Sequence, residues 1–210
     1  MMRIIRRILK MIIQFFSILF PLRFFRFLDR KFNLIYTYWI SREFKKLNGS
    51  VYFAFPLYLN GGKNIVLGKN FDSDQRLRLD TYDNFLGEKF SPLIEIGDNV
   101  SIQKDCHIGA INRITIGNNV LIGSRVFISD HSHGEINSNA LRLPPAQRSL
   151  YSKGEVVIED NVWIGEGVVV LPGVTIGENS IIGANAVVSK SIPKNTVAAG
   201  NPARVIKEIN

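Results

Sequence analysis

Two histidines stand close together in this chain and could accept a proton during catalysis. His131 and His133 are two residues apart, they follow Asp130 directly, and the sequence contains only three histidines. A neutral imidazole has an unperturbed pKa of about 6.5 and can remove a hydroxyl proton near neutral pH. The carboxylate of Asp130, or a main-chain carbonyl, can hold such a ring in one orientation. We therefore expect a general base here, and we favour His131 over His133.

A six-residue repeat indicates the elements that must position these histidines. Aliphatic residues recur at every sixth position in three runs: Ile96, Ile102, Ile108; Ile116, Ile122, Ile128; and Ile158, Ile164, Val170, Ile176, Ile182, Val188. Glycine follows at seven of these positions, namely Gly97, Gly109, Gly117, Gly123, Gly165, Gly177 and Gly183. A period of six suits short strands joined by tight turns, in which glycine is expected to supply unusual backbone angles. The repeat predicts an all-β parallel solenoid, with residues 65–79 as a degenerate first coil.

The repeat is interrupted where the two histidines lie. It stops at Ile128 and resumes at Ile158, which leaves residues 129–157 as a long loop that also contains Arg142 and Arg148. Loops of this length in compact folds are usually functional. The single cysteine, Cys106, is instead at a small inward position of the repeat, and we interpret it as a buried structural thiol rather than a nucleophile.

Several stretches of the chain resemble a known enzyme family. They are VVIEDNVWIG at 156–165, LPGVTIG at 171–177, AGNPARVI at 199–206, DHSHG at 130–134 and SKG at 152–154. Together with the repeat they resemble the left-handed β-helix, or hexapeptide-repeat, acyltransferases. The resemblance is strongest to the O-acetyltransferases of bacterial surface-polysaccharide biosynthesis (capsule, lipopolysaccharide O-antigen), which are related to the maltose and galactoside O-acetyltransferases. It covers about residues 94–210, and residues 50–93 weakly.

The resemblance implies a left-handed parallel β-helix of about five coils, a homotrimer and an active site between adjacent subunits. It also implies metal-free transfer of an acetyl group from acetyl-CoA to a sugar hydroxyl of a polysaccharide or its lipid-linked precursor. The transfer would be direct, in a ternary complex, with a loop histidine as base. The expected substrate-binding residues are Trp163, Arg142 and Arg148. The expected acetyl-CoA site comprises Trp163, Gly165, Glu166 through its backbone, Ala184, Ser189, Lys190, Arg204 and Lys207.

The first 47 residues are basic and apolar, unlike the rest of the chain. They carry 11 basic and two acidic side chains, whereas residues 48–210, the expected acyltransferase domain, carry 15 and 16. Polar residues recur at steps of three and four, which predicts two amphipathic helices divided at Pro21. These residues are Arg3, Arg6, Arg7, Lys10, Gln14 and Ser17, then Arg23, Arg26, Arg30, Asn33 and Thr37.

The uncharged run in the N-terminal segment is too short to predict a membrane-spanning helix. The uncharged run at 11–22 has 12 residues, whereas crossing a bilayer takes about 20. No small-residue cleavage site follows, which argues against a secretory signal. We expect the helices to lie on an anionic membrane surface, at the cytoplasmic face of the inner membrane, with packing on the body or on a neighbouring subunit as the alternative.

Composition and spacing disfavour several other functions. One cysteine excludes a disulfide scaffold, and the near-neutral body shows no basic groove for nucleic acid. A zinc enzyme using His107, His131 and His133 is disfavoured because His107 follows Cys106 on a different coil. Two alternatives stay open: an acetyltransferase of the same fold with a serine, amino-sugar or nucleotide-sugar acceptor, and a catalytically silent scaffold of a glycan-assembly complex.

Overall fold

The computed structural model describes residues 2–209, which form two helices followed by a stack of short strands. The helices are α1, Met2–Leu19, and α2, Leu22–Ile40. Short 3-10 helices cover Ser41–Glu43, Gly62–Asn64, Ala140–Arg142 and Pro145–Gln147. The strands in chain order are β1 Lys46–Leu47, β2 Val51–Phe53, β3 Tyr58–Asn60, β4 Ile65–Leu67, β5 Phe71–Ser73, β6 Arg78–Thr81, β7 Asn84–Phe85, β8 Glu88–Lys89, β9 Leu93–Ile96, β10 Ser101–Ile102, β11 His107–Ala110, β12 Arg113–Ile116, β13 Leu121–Ile122, β14 Phe127–Ser129, β15 Ser132–His133, β16 Leu150–Tyr151, β17 Val156–Ile158, β18 Trp163–Ile164, β19 Val169–Val170, β20 Thr175–Ile176, β21 Ile181–Ile182, β22 Val187–Val188, β23 Thr196–Ala199 and β24 Arg204–Glu208.

The strands assemble into three long sheets that run along the stack. The first sheet has the order β1-β4-β9-β12-β17-β20, the second β2-β5-β10-β13-β18-β21-β23-β24, and the third β3-β6-β11-β14-β19-β22. Neighbouring strands in these sheets are parallel, except that β24 is antiparallel to β23. The predicted parallel solenoid is confirmed, and its sheets fit a left-handed β-helix. Each sheet has at least six strands, so the expected five coils are too few.

The additional coil is at the N-terminal end, where the sequence shows no hexad pattern. It consists of β1, β2 and β3, and Lys46 and Leu47 pair with Val66 and Leu67 of β4. The stack therefore begins just before the expected domain boundary at residue 48.

The hexad aliphatic residues form the core of the stack. All twelve are 3% exposed or less. Because successive side chains of a strand point to opposite faces, one aliphatic residue per two-residue strand is enough to fill the interior of each coil. Each coil then buries its apolar face against the next.

The hexad glycines have a different role from the one expected. None of the seven, all within the described residues, lies in the left-handed backbone region. Seven asparagines within residues 2–209 take that conformation. Five of them form a row of side-chain hydrogen bonds of 2.9 to 3.1 Å along one corner: Asn99, Asn119, Asn161, Asn179 and Asn195. A Cβ at Gly117 would come within 2.3 Å of Asp160 on the next coil. Close approach between coils, not backbone strain, therefore selects most of these glycines.

The two predicted helices are present and differ in their contacts. α1 has no buried residue, whereas α2 packs on the first coil. Within residues 2–209, no single helix is long and apolar enough to cross a membrane. As a pair bent by 55°, Met2–Leu19 with Leu22–Glu43 passes the same length and composition test.

Candidate active site

The loop root and the third sheet enclose a pocket of about 280 Å³. Its lining is polar and aromatic and includes all three histidines of the chain. The residues are Arg78, Tyr82, Phe85, His107, Gly109, Phe127, Ser129, His131, Ser132, His133 and Leu150. They come from three adjacent strands of one sheet, β6, β11 and β14, and from the segments that follow or cover them.

Asp130 and His131 form an oriented pair where β14 ends. The Asp130 carboxylate is fully buried and accepts the backbone N–H groups of Ile111 at 3.0 Å and Asn112 at 2.8 Å. Its Oδ1 also lies 2.9 Å from Nδ1 of His131. A carboxylate can only accept, so Nδ1 carries the proton and Nε2 of the neutral ring carries the lone pair. The His131 side chain is 13% exposed and lines the pocket, as a general base should.

His133 lies in the same pocket without such support. It is in β15, which pairs with β16 in an antiparallel hairpin within the loop. The imidazole is exposed and meets the ring of Phe85 edge-on at 5.6 Å. Among residues 2–209, no side chain makes a hydrogen bond to this ring. Of the two loop histidines, His131 is therefore the one that a buried carboxylate holds in a fixed orientation.

His107 lines the pocket as well, although the sequence pointed to it only as a disfavoured zinc ligand. Its Nε2 lies 3.0 Å from Oδ2 of Asp80, and its ring meets Phe127 edge-on at 5.3 Å. Asp80 in turn accepts from Arg78 Nε at 2.5 Å and from the Tyr82 hydroxyl at 3.3 Å. His107 is on a different coil from His131, as expected, but the register of the parallel strands places both histidines in the same pocket.

The hexad register contains the signal that would have found His107. Ile108 and Ile128 occupy the same place on successive coils and pair directly in the third sheet. Residues one position earlier, His107 and Phe127, are therefore neighbours on the outer face.

The pH dependence of stability should report the burial of His107. Burial lowers the pKa of His107, and the nearby Arg78 lowers it further, against the opposing effect of Asp80. The unfolded chain therefore binds a proton more readily, and the unfolding free energy should fall as pH drops below about 6.5. Replacing His107 with glutamine should flatten this slope between about pH 7 and pH 5, measured by urea unfolding. Equal slopes in His107→Gln and the parent chain would contradict the assignment.

A second groove gathers four of the residues expected at the acetyl-CoA site. Trp163, Gly165, Glu166 and Ala184 line it on the second sheet, together with Gln103, Gly123, Ser124, Ile181, Ile182 and Gly183. The Trp163 indole is exposed, and Glu166 forms a surface ion pair with Arg125 at 2.7 Å. Glycines at 123, 165 and 183 also line the groove.

The other expected acetyl-CoA residues lie outside this lining. Pairing runs from Trp163 through Ile181 and Val197 to Lys207, so Lys207 is on the same sheet three strands away. Arg204 pairs with Ala199 at the start of β24. Ser189 and Lys190 follow β22 at the end of the third sheet. The basic residues are thus at the C-terminal end of the stack.

The two loop arginines expected at the substrate site do not line the histidine pocket. Arg142 is exposed in a 3-10 helix, and Arg148 donates through Nε to the Leu143 carbonyl at 2.9 Å and lines a separate groove of the loop. The histidine pocket and the Trp163 groove also share no lining residue in the described chain. One chain therefore does not bring the expected base and the expected acetyl-CoA residues together.

The geometry also bears on two other chemistries, a cysteine nucleophile and a metal site. Burial raises the pKa of the Cys106 thiol to about 11, and its Sγ lies 3.0 Å from the Gly123 carbonyl, so the thiol is structural as predicted. Within residues 2–209, no group of three or more His, Cys, Asp or Glu side chains could hold a metal ion, although all three histidines line one pocket.

Comparison with known proteins identifies the family. The model described as bacterial transferase hexapeptide (six repeats) matches residues 155–190, and that described as hexapeptide repeat of succinyl-transferase matches residues 113–129. An Escherichia coli K12 protein named for lipopolysaccharide biosynthesis O-acetyl transfer, WbbJ, is 43% identical over 160 residues, covering 74% of this chain and 78% of that protein. The chain belongs to the hexapeptide-repeat acyltransferases.

Further members of the family agree with this assignment. The galactoside O-acetyltransferase of E. coli K12 is 37% identical over 176 residues, covering 81% of this chain and 67% of that protein. A structure of galactoside acetyltransferase in complex with coenzyme A superposes with a TM-score of 0.55 at 34% identity, covering 81% of this chain and 68% of the other. The resemblance stated from the sequence is confirmed, and the chain is an acyltransferase.

Proposed function

We propose that this hexapeptide-repeat acyltransferase moves an acetyl group from acetyl-CoA to a sugar hydroxyl of a bacterial surface polysaccharide or its lipid-linked precursor. The observation that carries the proposal is the buried Asp130 carboxylate aligning His131 in a pocket beside the third sheet. The similarity to WbbJ, which is named for lipopolysaccharide biosynthesis, favours a polysaccharide acceptor. Both acceptor and acetyl-CoA would be met on the cytoplasmic side.

The reaction is a direct transfer between the two bound substrates. Nε2 of His131 accepts the proton of the sugar hydroxyl while the hydroxyl oxygen attacks the thioester carbonyl carbon of acetyl-CoA. The carbon–sulfur bond then breaks, and the coenzyme A thiolate leaves and receives the proton from the imidazolium. Asp130 keeps the ring in the tautomer whose Nε2 is free, and it stabilises the imidazolium that forms.

The Trp163 groove has the features that an acetyl-CoA site requires. The exposed Trp163 indole offers a flat apolar face on which the pantetheine arm can pack, and several of the other residues that line the groove are small. The phosphates of coenzyme A are anionic, and Lys190, Arg204 and Lys207 place positive charge at the same end of the stack. Since groove and pocket are separate in one chain, we propose that adjacent copies, in a homotrimer, join them.

Acetyl transfer to a panel of sugars tests the proposed function. The full chain, given labelled acetyl-CoA with free and lipid-linked sugars, should yield an acetylated glycan detected by mass spectrometry. Coenzyme A should raise the melting temperature by mass action, and Trp163→Ala should weaken that shift. Trp39→Ala, which removes the other exposed tryptophan outside the groove, is the control and should keep the full shift.

Two results would contradict the proposal. A chain that shows no coenzyme A shift and no transfer would be a scaffold. If only serine or only a sugar amine were acetylated, the acceptor would not be a sugar hydroxyl.

A further inference from the structure

Helix α2 packs against the solenoid through polar side chains. Thr37 Oγ1 accepts the Phe53 N–H at 3.0 Å, and Asn33 Oδ1 accepts the Phe55 N–H at 3.0 Å. Both side chains are buried. Both residues belong to the polar stripe predicted from the sequence, and their amide and hydroxyl groups satisfy backbone donors at the end of the first coil.

The apolar side of α2 consequently faces away from the protein. Ile35 is 70% exposed, Tyr38 82% and Trp39 63%. A surface helix of a globular protein normally turns its apolar face to the core and its polar face to water. Helix α2 has the reverse arrangement, although it is packed against the solenoid. It leaves a large apolar surface exposed, and such a surface usually marks contact with a partner or a membrane.

Helix α1 continues this apolar surface. None of its residues is buried, and its exposed side chains include Ile5, Ile12 and Phe16. The rings of Phe16, Phe20 and Phe24 contact one another across the junction with α2, at centroid distances of 6.3 and 5.6 Å. We call α1 and the outward side of α2 the apolar platform.

Charge decides between lipid and a second copy of the chain as the cover. Residues 2–40 contain eight basic side chains and one acidic side chain, Asp29. Two such platforms would repel one another, whereas anionic headgroups attract them. Trp39 and Tyr38 are also the side chains that prefer the level of lipid headgroups.

We propose that the apolar platform lies in the plane of an anionic lipid surface, with the N-terminal end of the solenoid facing that surface. This orientation goes beyond the general expectation of membrane contact because it places the two candidate subsites at different heights. The histidine pocket spans β6, β11 and β14, the second to fourth strands of the third sheet counted from that end. At about 4.8 Å per strand, the pocket lies roughly 5–15 Å from the first coil.

The Trp163 groove lies farther from the lipid. It spans β13, β18 and β21, the fourth to sixth strands of the second sheet. The consequence for catalysis rests on the proposed function. The platform would present the pocket to an acceptor carried by a lipid and leave the groove open to a water-soluble acyl donor.

Tryptophan quenching tests both the contact and the orientation, because the chain has only two tryptophans. The full chain should co-sediment with vesicles of phosphatidylglycerol and phosphatidylethanolamine, and at least tenfold less with pure phosphatidylcholine. Brominated lipids in those vesicles should quench Trp39 in the Trp163→Phe variant and leave Trp163 unquenched in the Trp39→Phe variant. Equal quenching of both residues would overturn the orientation, and absence of co-sedimentation would overturn the lipid contact.

A pair of matched variants separates lipid docking from self-association and from catalysis. Ile35→Glu should reduce vesicle binding at least tenfold, whereas Ile136→Glu, in a loop position that is 99% exposed, should not. Light scattering that showed a smaller assembly for Ile35→Glu, with vesicle binding unchanged, would identify a second copy as the cover and overturn the proposal. Acetyl transfer to a water-soluble sugar should be unchanged in Ile35→Glu, so failure of the lipid contact is distinguishable from failure of the proposed function.

Discussion

Replacing His131 with alanine is expected to lower kcat by roughly 10²- to 10⁴-fold, the usual contribution of a positioned general base. The imidazole is held by the buried Asp130 carboxylate at 2.9 Å and lines the candidate acceptor pocket. Alanine leaves the sugar hydroxyl without a proton acceptor but removes no residue of the Trp163 groove. The measurement is steady-state acetyl transfer with acetyl-CoA and acceptor varied separately, and the KM for acetyl-CoA should stay within about twofold.

His133→Ala is the matched control for this prediction. His133 lines the same pocket, but its ring is exposed and contacts Phe85 rather than a carboxylate. We expect it to lower kcat by less than about tenfold. A loss in His131→Ala below about tenfold would remove His131 from the role of base, and a much larger loss in His133→Ala would transfer that role to His133.

The solenoid was predictable because its core residues recur in the sequence at a fixed spacing of six. Every six-residue repeat must direct one aliphatic side chain into the core. Twelve in-phase positions from Ile96 to Val188 therefore indicate the stack directly, and all twelve side chains are buried. The first coil has no such period: its interior is filled by Phe53, which stacks on Phe44 at 5.1 Å and contacts Phe71. Aromatic packing at a capped end is specific to that end and does not repeat.

Contacts between coils were harder to anticipate than contacts within them. The Asp130–His131 pair could be predicted because the two residues are adjacent in sequence. The His107–Asp80 pair joins β11 to β6 across 27 positions, and β6 belongs to the degenerate part of the repeat. The loop arginines show the opposite case, since Arg148 has the right charge for a ligand but uses its Nε on the Leu143 carbonyl.

The polarity of α2 shows that amphipathicity alone does not determine which face of a helix meets the protein. The sequence indicates a stripe that includes Asn33 and Thr37, and the usual inference sends that stripe to water. The first coil ends in backbone N–H groups at Phe53 and Phe55 that lack a neighbouring strand, and the two polar side chains supply the missing acceptors. Unpaired edge donors are a property of the folded end, which no periodicity in the helix reveals.

Replacing Asp130 with asparagine is expected to reduce kcat by on the order of 10³-fold although the residue does not touch the substrate. The carboxylate accepts three donors, the N–H groups of Ile111 and Asn112 and Nδ1–H of His131. Asparagine has one carbonyl oxygen and an NH₂ group, so at least one donor would face another donor. That mismatch should also lower the unfolding free energy by about 1–3 kcal/mol, which is measurable by urea unfolding.

The double variant separates positioning from a purely structural effect. If Asp130 acts through His131, Asp130→Asn combined with His131→Ala should be no slower than His131→Ala alone, because residues that act as a unit are non-additive. The coenzyme A melting shift should persist in all three variants, since none of them alters the Trp163 groove. Multiplicative losses in kcat would show that Asp130 supports the fold of the pocket rather than the orientation of the base. Ser129→Ala removes the 3.3 Å contact to the same Nδ1 and two hydrogen bonds to the main chain of His131, at 3.0 and 3.2 Å, but it leaves the carboxylate in place. Its loss in kcat should therefore be smaller than that of Asp130→Asn.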